Sequence, residues 1–254
     1  SDGNEQRQRA RIVCVAGNAI ETPRLLLLSE SSRFPDGLAN SSGEVGRNYQ
    51  RHTTGSVFAA FDDPIHMYRG TTMAGIITEE SGHQPERGFA FVDPGGWGES
   101  FTSIIDDCAN RAGLWIVGED LPQSTNRVTL NRDTTDALGL PVANVHYDDH
   151  ANDIAMRKHA YAQGRALYES IGAKRVIETP PYPSTHNLGT CRMSEDPLRG
   201  VVNKWGQAHD IPNLFISDGS QFTTSAAVNP TLTIVALALR QADLLALKMA
   251  QREL

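Results

Sequence analysis

The chain has 254 residues, with 23 Lys plus Arg against 30 Asp plus Glu, a formal net charge of −7. Hydrophobic residues make up 39% and charged residues 21%, ordinary values for a folded chain long enough for one large domain or two small ones. The acidic balance excludes a nucleic-acid binder, which needs a basic footprint, and no run of about 18 apolar residues predicts a membrane span.

In chain order, residues 1–11 are polar and lack the apolar core of a signal peptide. Residues 11–16 read as a buried strand ending on Gly17, and a chain that opens on such a strand is expected to be a fragment or one half of a two-chain protein. Thr22-Pro23 then predicts a helix start, Thr as cap and Pro in the first turn, running to Ser29. Residues 31–50, rich in Ser, Gly and Asn, predict a long loop. Strands are expected over 53–61, 71–78 and 87–92, a turn at 93–96, and a helix over 99–112 closed by Gly113. Short strands follow at 114–119, 126–130 and 144–147, then a helix from Asp149 to about Ser170 ended by Gly172. Residues 175–177 read as a strand and 179–184 (TPPYPS) as a stiff extended linker. A last buried strand at 213–217 precedes a long, largely apolar helix from Asn229-Pro230 to about Gln251, expected to be a core element. The ends each read as strand then helix, and the middle as short strands with two helices. The expectation is an α/β (α+β) fold: segments 1–52 and 182–254 build one unit, and 53–181 forms an inserted antiparallel sheet.

The C-terminal segment holds the chemistry-bearing residues. A buried strand running into Asp218-Gly219-Ser220 makes a bend of small residues where backbone can approach a ligand. Asn229-Pro230 places an amide side chain as a helix cap, and the free N–H groups of that helix start favour negative charge in front of them. His186 precedes a glycine turn that can face the same place.

The stretches HNLGTCRM (186–193), PNLFISDGS (212–220) and SAAVNPTLTIVALALRQAD (225–243) resemble the C-terminal part of the glucose–methanol–choline (GMC) family of FAD-dependent oxidoreductases. Residues 10–29 resemble the same family's middle signature, and Val45-Gly46-Arg47-Asn48 through His52 is similar to its "VGRN…H" turn. The wording is closest to the bacterial branch of gluconate, fructose and glucoside 3-dehydrogenase large subunits and glycoside oxidases. The resemblance implies a Rossmann-like FAD-binding domain with the inserted sheet as substrate roof, and oxidation of a sugar, glycoside or polyol CH–OH group. It implies His186 as catalytic base and Asn229 as its partner on the substrate oxygen. It places Pro230 and Thr231 at the flavin's pyrimidine end, Asp218 and Gly219 at the diphosphate and ribityl chain, and Ala16 and Gly17 near the adenosine end. The family's G-x-G-x-x-G fingerprint is absent, and Gly95-Gly96-Trp97-Gly98 does not supply it. The N-terminal half of the same enzyme, carrying that motif as a separate chain, is therefore an expected partner, with an electron-acceptor subunit, a quinone or oxygen left open beyond it.

Two other readings meet obstacles in the sequence. A serine hydrolase built on Ser220, His186 and Asp218 lacks any G-x-S-x-G elbow. A sugar-binding chain without catalysis conflicts with retention of both His186 and Asn229. His146 and His150, four apart with carboxylates between, suggest a metal, but a strand–helix junction falls inside the spacing, so a solvated helix start near Asp148 or Asp149 is expected and no metal site. His52 reads as a structural histidine and Cys191 as a small buried residue. Trp97, Trp115 and Trp205 are open between core and pocket.

Overall fold

The computed structural model describes residues 6–67, 76–77, 86–88 and 108–253. The turn expected at 93–96, Trp97 and most of the helix expected over 99–112 lie outside those residues.

Strand β1 (Val13–Val15) and helix α1 (Asn18–Leu28) open the fold. The helix begins four residues before the expected Thr22-Pro23 signal. Asn18 turns the chain at φ 72° and its Oδ1 accepts the amides of Ile20 and Glu21, a left-handed position that Asn tolerates. Pro23 thus sits inside the helix, where it has no N–H for the carbonyl of Ala19. The hydroxyl of Thr190 donates to that carbonyl instead, at 2.9 Å. Thr22 is no cap: its fully buried hydroxyl accepts from Gly17 N and donates to Asp218, at 2.9 and 2.5 Å.

An antiparallel sheet follows. Its strands are β2 (Thr53–Ala60), β3 (Ile76–Ile77), β4 (Glu86–Gly88) and β5 (Arg111–Gly118), the last entered by a single 3-10 turn at Cys108–Asn110. The expected helix to residue 112 is corrected at its end: Arg111, Ala112 and Gly113 pair with Ala60, Ala59 and Phe58 as strand. A hairpin of β6 (Arg127–Thr135) and β7 (Pro141–His146) packs on α1, tied by Arg24, whose guanidinium meets Asp136 at 2.5 Å and Pro141 O at 2.8 Å. Helix α2 (Ala151–Ser170) is next. Strand β8 (Arg175–Glu178) then pairs with β2, and so does β9 (Tyr182–Pro183), part of the segment expected as a stiff extended linker. The sheet order is β3-β4-β5-β2-β8.

Alternation sorts the two faces of this sheet. Val57, Ala59, Ala112, Leu114 and Ile116 point to α2 and form a core with its Ala160 and Tyr168. Gly164 lets the helix close on the sheet, since a Cβ there would come within 3.0 Å of Val57 Cγ2. The register pairs Ser56 with Trp115 on the opposite face.

The last strand, β10 (Leu214–Ile216), pairs with β1 in parallel, Val13 with Leu214 and Val15 with Ile216. β10 is buried with Leu26, Ala39, Val45, Cys191, Val201 and Val202. β1 was expected to be buried and is not: Val13 is 43% exposed and Cys14 is exposed. Its only strand partner among the described residues is β10, and only Val15 packs against the core beneath.

Helix α3 (Thr231–Ala250) closes the chain, and here too an expectation is corrected. It is not a core element within the described residues: Leu232 is 81% exposed, and Val235, Leu239, Leu247 and Met249 are exposed as well. No helix of the described residues is long and apolar enough to cross a membrane.

Candidate active site

Three loops interlock around His186. The turn 46–52, the turn 184–191 and the loop 218–226 exchange backbone bonds. Gln50 and Leu188 bond to each other both ways at 3.0 and 2.9 Å, Gly46 N donates to Thr190 O at 2.7 Å, and Gly189 N donates to Gly219 O at 3.1 Å. Gly189 has φ 74°, and a Cβ there would lie 2.1 Å from Asn48 O. Only glycine permits this crossing. Thr190 follows at φ 82°, an uncommon conformation for a β-branched residue, held by its bonds to Gly46 and Ala19.

This weave brings His186 to His52. Their Nδ1 atoms lie 2.8 Å apart, with ring centroids 4.8 Å apart and planes at 83°. His52, read from sequence as merely structural, is 1% exposed, and its Nε2 lies 3.2 Å from the carbonyl of Ser225. Burial pushes its pKa down to about 4, only partly opposed by that carbonyl. His186 is half-buried, and desolvation also holds its pKa below the ordinary value. Trp115 stands beside it, ring centroids 6.4 Å apart. The Nε1 of Trp115 is buried without a hydrogen-bond partner among the described residues. Ser56, next to Trp115 on the same sheet face, bonds the hydroxyl of Tyr182 at 2.8 Å.

Ser225 in turn reaches Asp120, 1% exposed. It accepts from Arg51 N at 2.7 Å, Ser225 Oγ at 2.8 Å and Tyr147 Oη at 3.2 Å, yet burial still pushes its pKa up to about 7. No local motif marks Asp120, whose place is set by its tertiary contacts with Arg51, Tyr147 and Ser225.

Asn229 lies four residues beyond Ser225, exposed, with no side-chain hydrogen bond among the described residues. Its expected capping role is corrected. The residue at the helix start is Pro230, without a side-chain cap. The first intrahelical bond runs from Ile234 N to Pro230 O, which leaves the amides of Thr231, Leu232 and Thr233 without partners among the described residues. Such a terminus favours an acceptor-rich or anionic group.

The other expected cofactor residues share one edge. β1 and β10 run parallel, so Ala16-Gly17 and Asp218-Gly219 both emerge at the carboxyl ends, the side of a parallel sheet where ligands bind. Asp218 spends its carboxylate internally, accepting from Asn18 N at 2.9 Å, Thr22 Oγ1 at 2.5 Å and Ser220 N at 2.8 Å. What this edge offers a ligand is therefore backbone. Gly219 is small for packing reasons too, since a Cβ would come 2.8 Å from Leu188 Cδ2.

The remaining readings resolve simply. Ser220 is fully buried and no hydrogen bond joins it to His186, so the hydrolase arrangement is not formed. His150, not an aspartate, caps α2, accepting from Asn152 N at 3.1 Å while Asp153 closes a capping box. His146 pairs with Asp148 at 3.1 Å, and no group of His, Cys, Asp and Glu among the described residues could hold a metal. Cys191 is fully buried, and desolvation raises its thiol pKa.

Residues 122–238 match the family described as GMC oxidoreductase, and over nearly its whole length the chain is similar to part of larger dehydrogenases and oxidases. It is 38% identical over 271 residues to a 2-methyl-1,2-propanediol dehydrogenase of Mycolicibacterium austroafricanum, covering 95% of this chain and 49% of that protein. It is 31% identical to the fructose dehydrogenase large subunit of Gluconobacter japonicus, covering 95% of this chain and 48% of that one. The chain thus spans about half the length of these relatives. The formate oxidase of Aspergillus oryzae RIB40 superposes with TM-score 0.69 at 16% identity, over 96% of this chain and 55% of the other, a likeness of fold.

Proposed function

We propose that this chain is the catalytic C-terminal half of an FAD-dependent oxidoreductase that oxidises a CH–OH group of a polyol, sugar or glycoside. The observation that carries the proposal is His186: a half-buried imidazole, anchored on one side by His52, with Trp115 beside it and the loop leading to Asn229 tethered to the same anchor.

FAD, when bound, supplies the acceptor for the hydride. The chain's own residues fit it: the unpartnered amides at the start of α3, after Pro230, suit the flavin's pyrimidine end, and Ala16, Gly17, Asp218 and Gly219 line the carboxyl edge of the parallel strands. His186 takes the substrate's hydroxyl proton on a ring nitrogen. Desolvation disfavours its cationic form, so it stands neutral and able to accept at neutral pH. The unengaged amide of Asn229 holds the substrate oxygen. The sheet face bearing Ser56 and Trp115 excludes water above them. In this reading residues 1–52 and 182–254 build the flavin unit and 53–181 the substrate unit.

The substrate class rests on relatives named for a small diol, for fructose and for glycosides, the last including a C-glycoside 3-oxidase of Arthrobacter globiformis at 30% identity. These relatives include both dehydrogenases and oxidases. An N-terminal part carrying G-x-G-x-x-G is the partner this reading requires. The exposed apolar side chains of α3 and β1 offer it a surface.

The test is anaerobic mixing of the FAD-loaded assembly with diols, ketoses and glycosides, followed by flavin bleaching. His186→Ala is expected to slow bleaching about 10²- to 10⁴-fold, the usual worth of a general base, at unchanged FAD content. Bleaching by the variant at the parental rate refutes the proposal.

A further inference from the structure

We propose that His52 is a positioning residue that locks His186 in its Nδ1–H form, so that Nε2 is the nitrogen presented, bare, to the substrate hydroxyl. The inference rests on the reading of His186 as the base and names the atom and the residue that sets it.

The assignment starts at a group with no choice. The carbonyl of Ser225 can only accept, so His52 Nε2, at 3.2 Å, carries the hydrogen between them. A neutral imidazole has one N–H, and full burial without a carboxylate partner among the described residues keeps His52 neutral. Its Nδ1 is therefore a lone pair. That lone pair faces His186 Nδ1 at 2.8 Å, a separation that requires one hydrogen between two nitrogens. The hydrogen belongs to His186. Neutral His186 then has its remaining lone pair on Nε2, and the near-perpendicular stacking fixes the ring's rotation.

His52 is a holder and not a relay. Passing the proton onward would make it a buried cation whose Nε2–H already ends on a carbonyl. The same residue also pins the loop: through Ser225 it reaches Asp120, and four residues on stands Asn229. One imidazole thereby sets the orientation of both members of the proposed catalytic pair. Most such bases are oriented by a carboxylate, which also raises their basicity. Here the partner is neutral and orients without adding charge.

Two substitutions separate the bonds. His52→Asn keeps an acceptor at the Nδ1 position and gives up the bond to Ser225. His52→Gln keeps a donor at the Nε2 position for Ser225 and gives up the acceptor. In the FAD-loaded assembly His52→Gln is expected to lower the rate of flavin reduction by at least about 10-fold with little change in substrate KM, and His52→Asn to recover most of it. A merely structural anchor predicts the reverse order. Nitrogen-15 spectra of the histidine-labelled, unsubstituted protein read the tautomer directly, whether or not a variant folds: Nδ1–H on His186 is expected, and Nε2–H overturns the inference. If the tautomer is as stated and His186→Ala still bleaches at the parental rate, the proposed function fails instead.

Discussion

Pro23 deprives the carbonyl of Ala19 of its helical donor, and the hydroxyl of Thr190 replaces it at 2.9 Å. Both residues are fully buried, so no water can substitute when the hydroxyl is lost. Thr190→Val keeps shape and backbone and strands that carbonyl, a cost of about 1–3 kcal/mol. Pro23→Ala restores an N–H to the same oxygen. In that background Thr190→Val removes only a second bond, worth about 0.5–1 kcal/mol. A double-mutant cycle should therefore show a coupling of about 1 kcal/mol between two residues 167 positions apart in the sequence. The assay is equilibrium urea unfolding of the four proteins at one fixed FAD concentration, compared at a common m-value. If Thr190→Val costs the same in both backgrounds to within about 0.3 kcal/mol, the hydroxyl is not the substitute donor and the account of how this helix tolerates its proline is wrong.

Gly189→Ala forces a Cβ to within 2.1 Å of Asn48 O at φ 74°, and should cost roughly 3 kcal/mol or more and displace His186, seen as loss of soluble, FAD-retaining protein; a variant with parental melting temperature would refute this. The pH dependence of stability contains two opposing contributions. His52, with its folded pKa depressed to about 4, stabilises above its unfolded value and loses that contribution as pH falls through 4. Asp120, raised to about 7, stabilises below its unfolded value of about 3.8 and loses that contribution as pH rises through 7. Between about pH 4 and 6.5 they nearly cancel. Asp120→Asn should leave stability rising with pH there, and His52→Gln should leave it falling, each with a slope approaching 1.4 kcal/mol per pH unit; urea midpoints across that range check both signs.

The motifs His186-to-Met193 and Asn229-to-Ile234 made the family legible, because both are local strings whose spacing survives without the fold. Helix α2 was legible for the same reason: its periodic apolar residues and Gly172 stop are local. What sequence hid was decided at a distance. Thr22-Pro23 carries every mark of a helix start, and only the hydroxyl of Thr190 makes a proline tolerable inside the helix. Apolar content led to β1 and α3 being read as buried, whereas burial requires covering groups that the described residues do not provide. His52 gave no sign of its contact with His186 because that contact arises where three loops meet.

The pairing of β1 with β10 has a consequence for how the molecule assembles. Asn18 and Asp218, just past the two strands, are bonded although 200 positions separate them. Drawing together the ends of a flexible loop that long costs about 5 kcal/mol in chain entropy, against a ladder of three residue pairs. The hairpin of β6 with β7 and the β2–β5 ladder must form earlier and shorten the tether before the ends can meet. Pulse-labelled hydrogen exchange during refolding should find the amides of 13–15 protected after those of 54–58, and the edge carrying Ala16-Gly17 and Asp218-Gly219, made only when the ends join, should be the last part of the chain to mature.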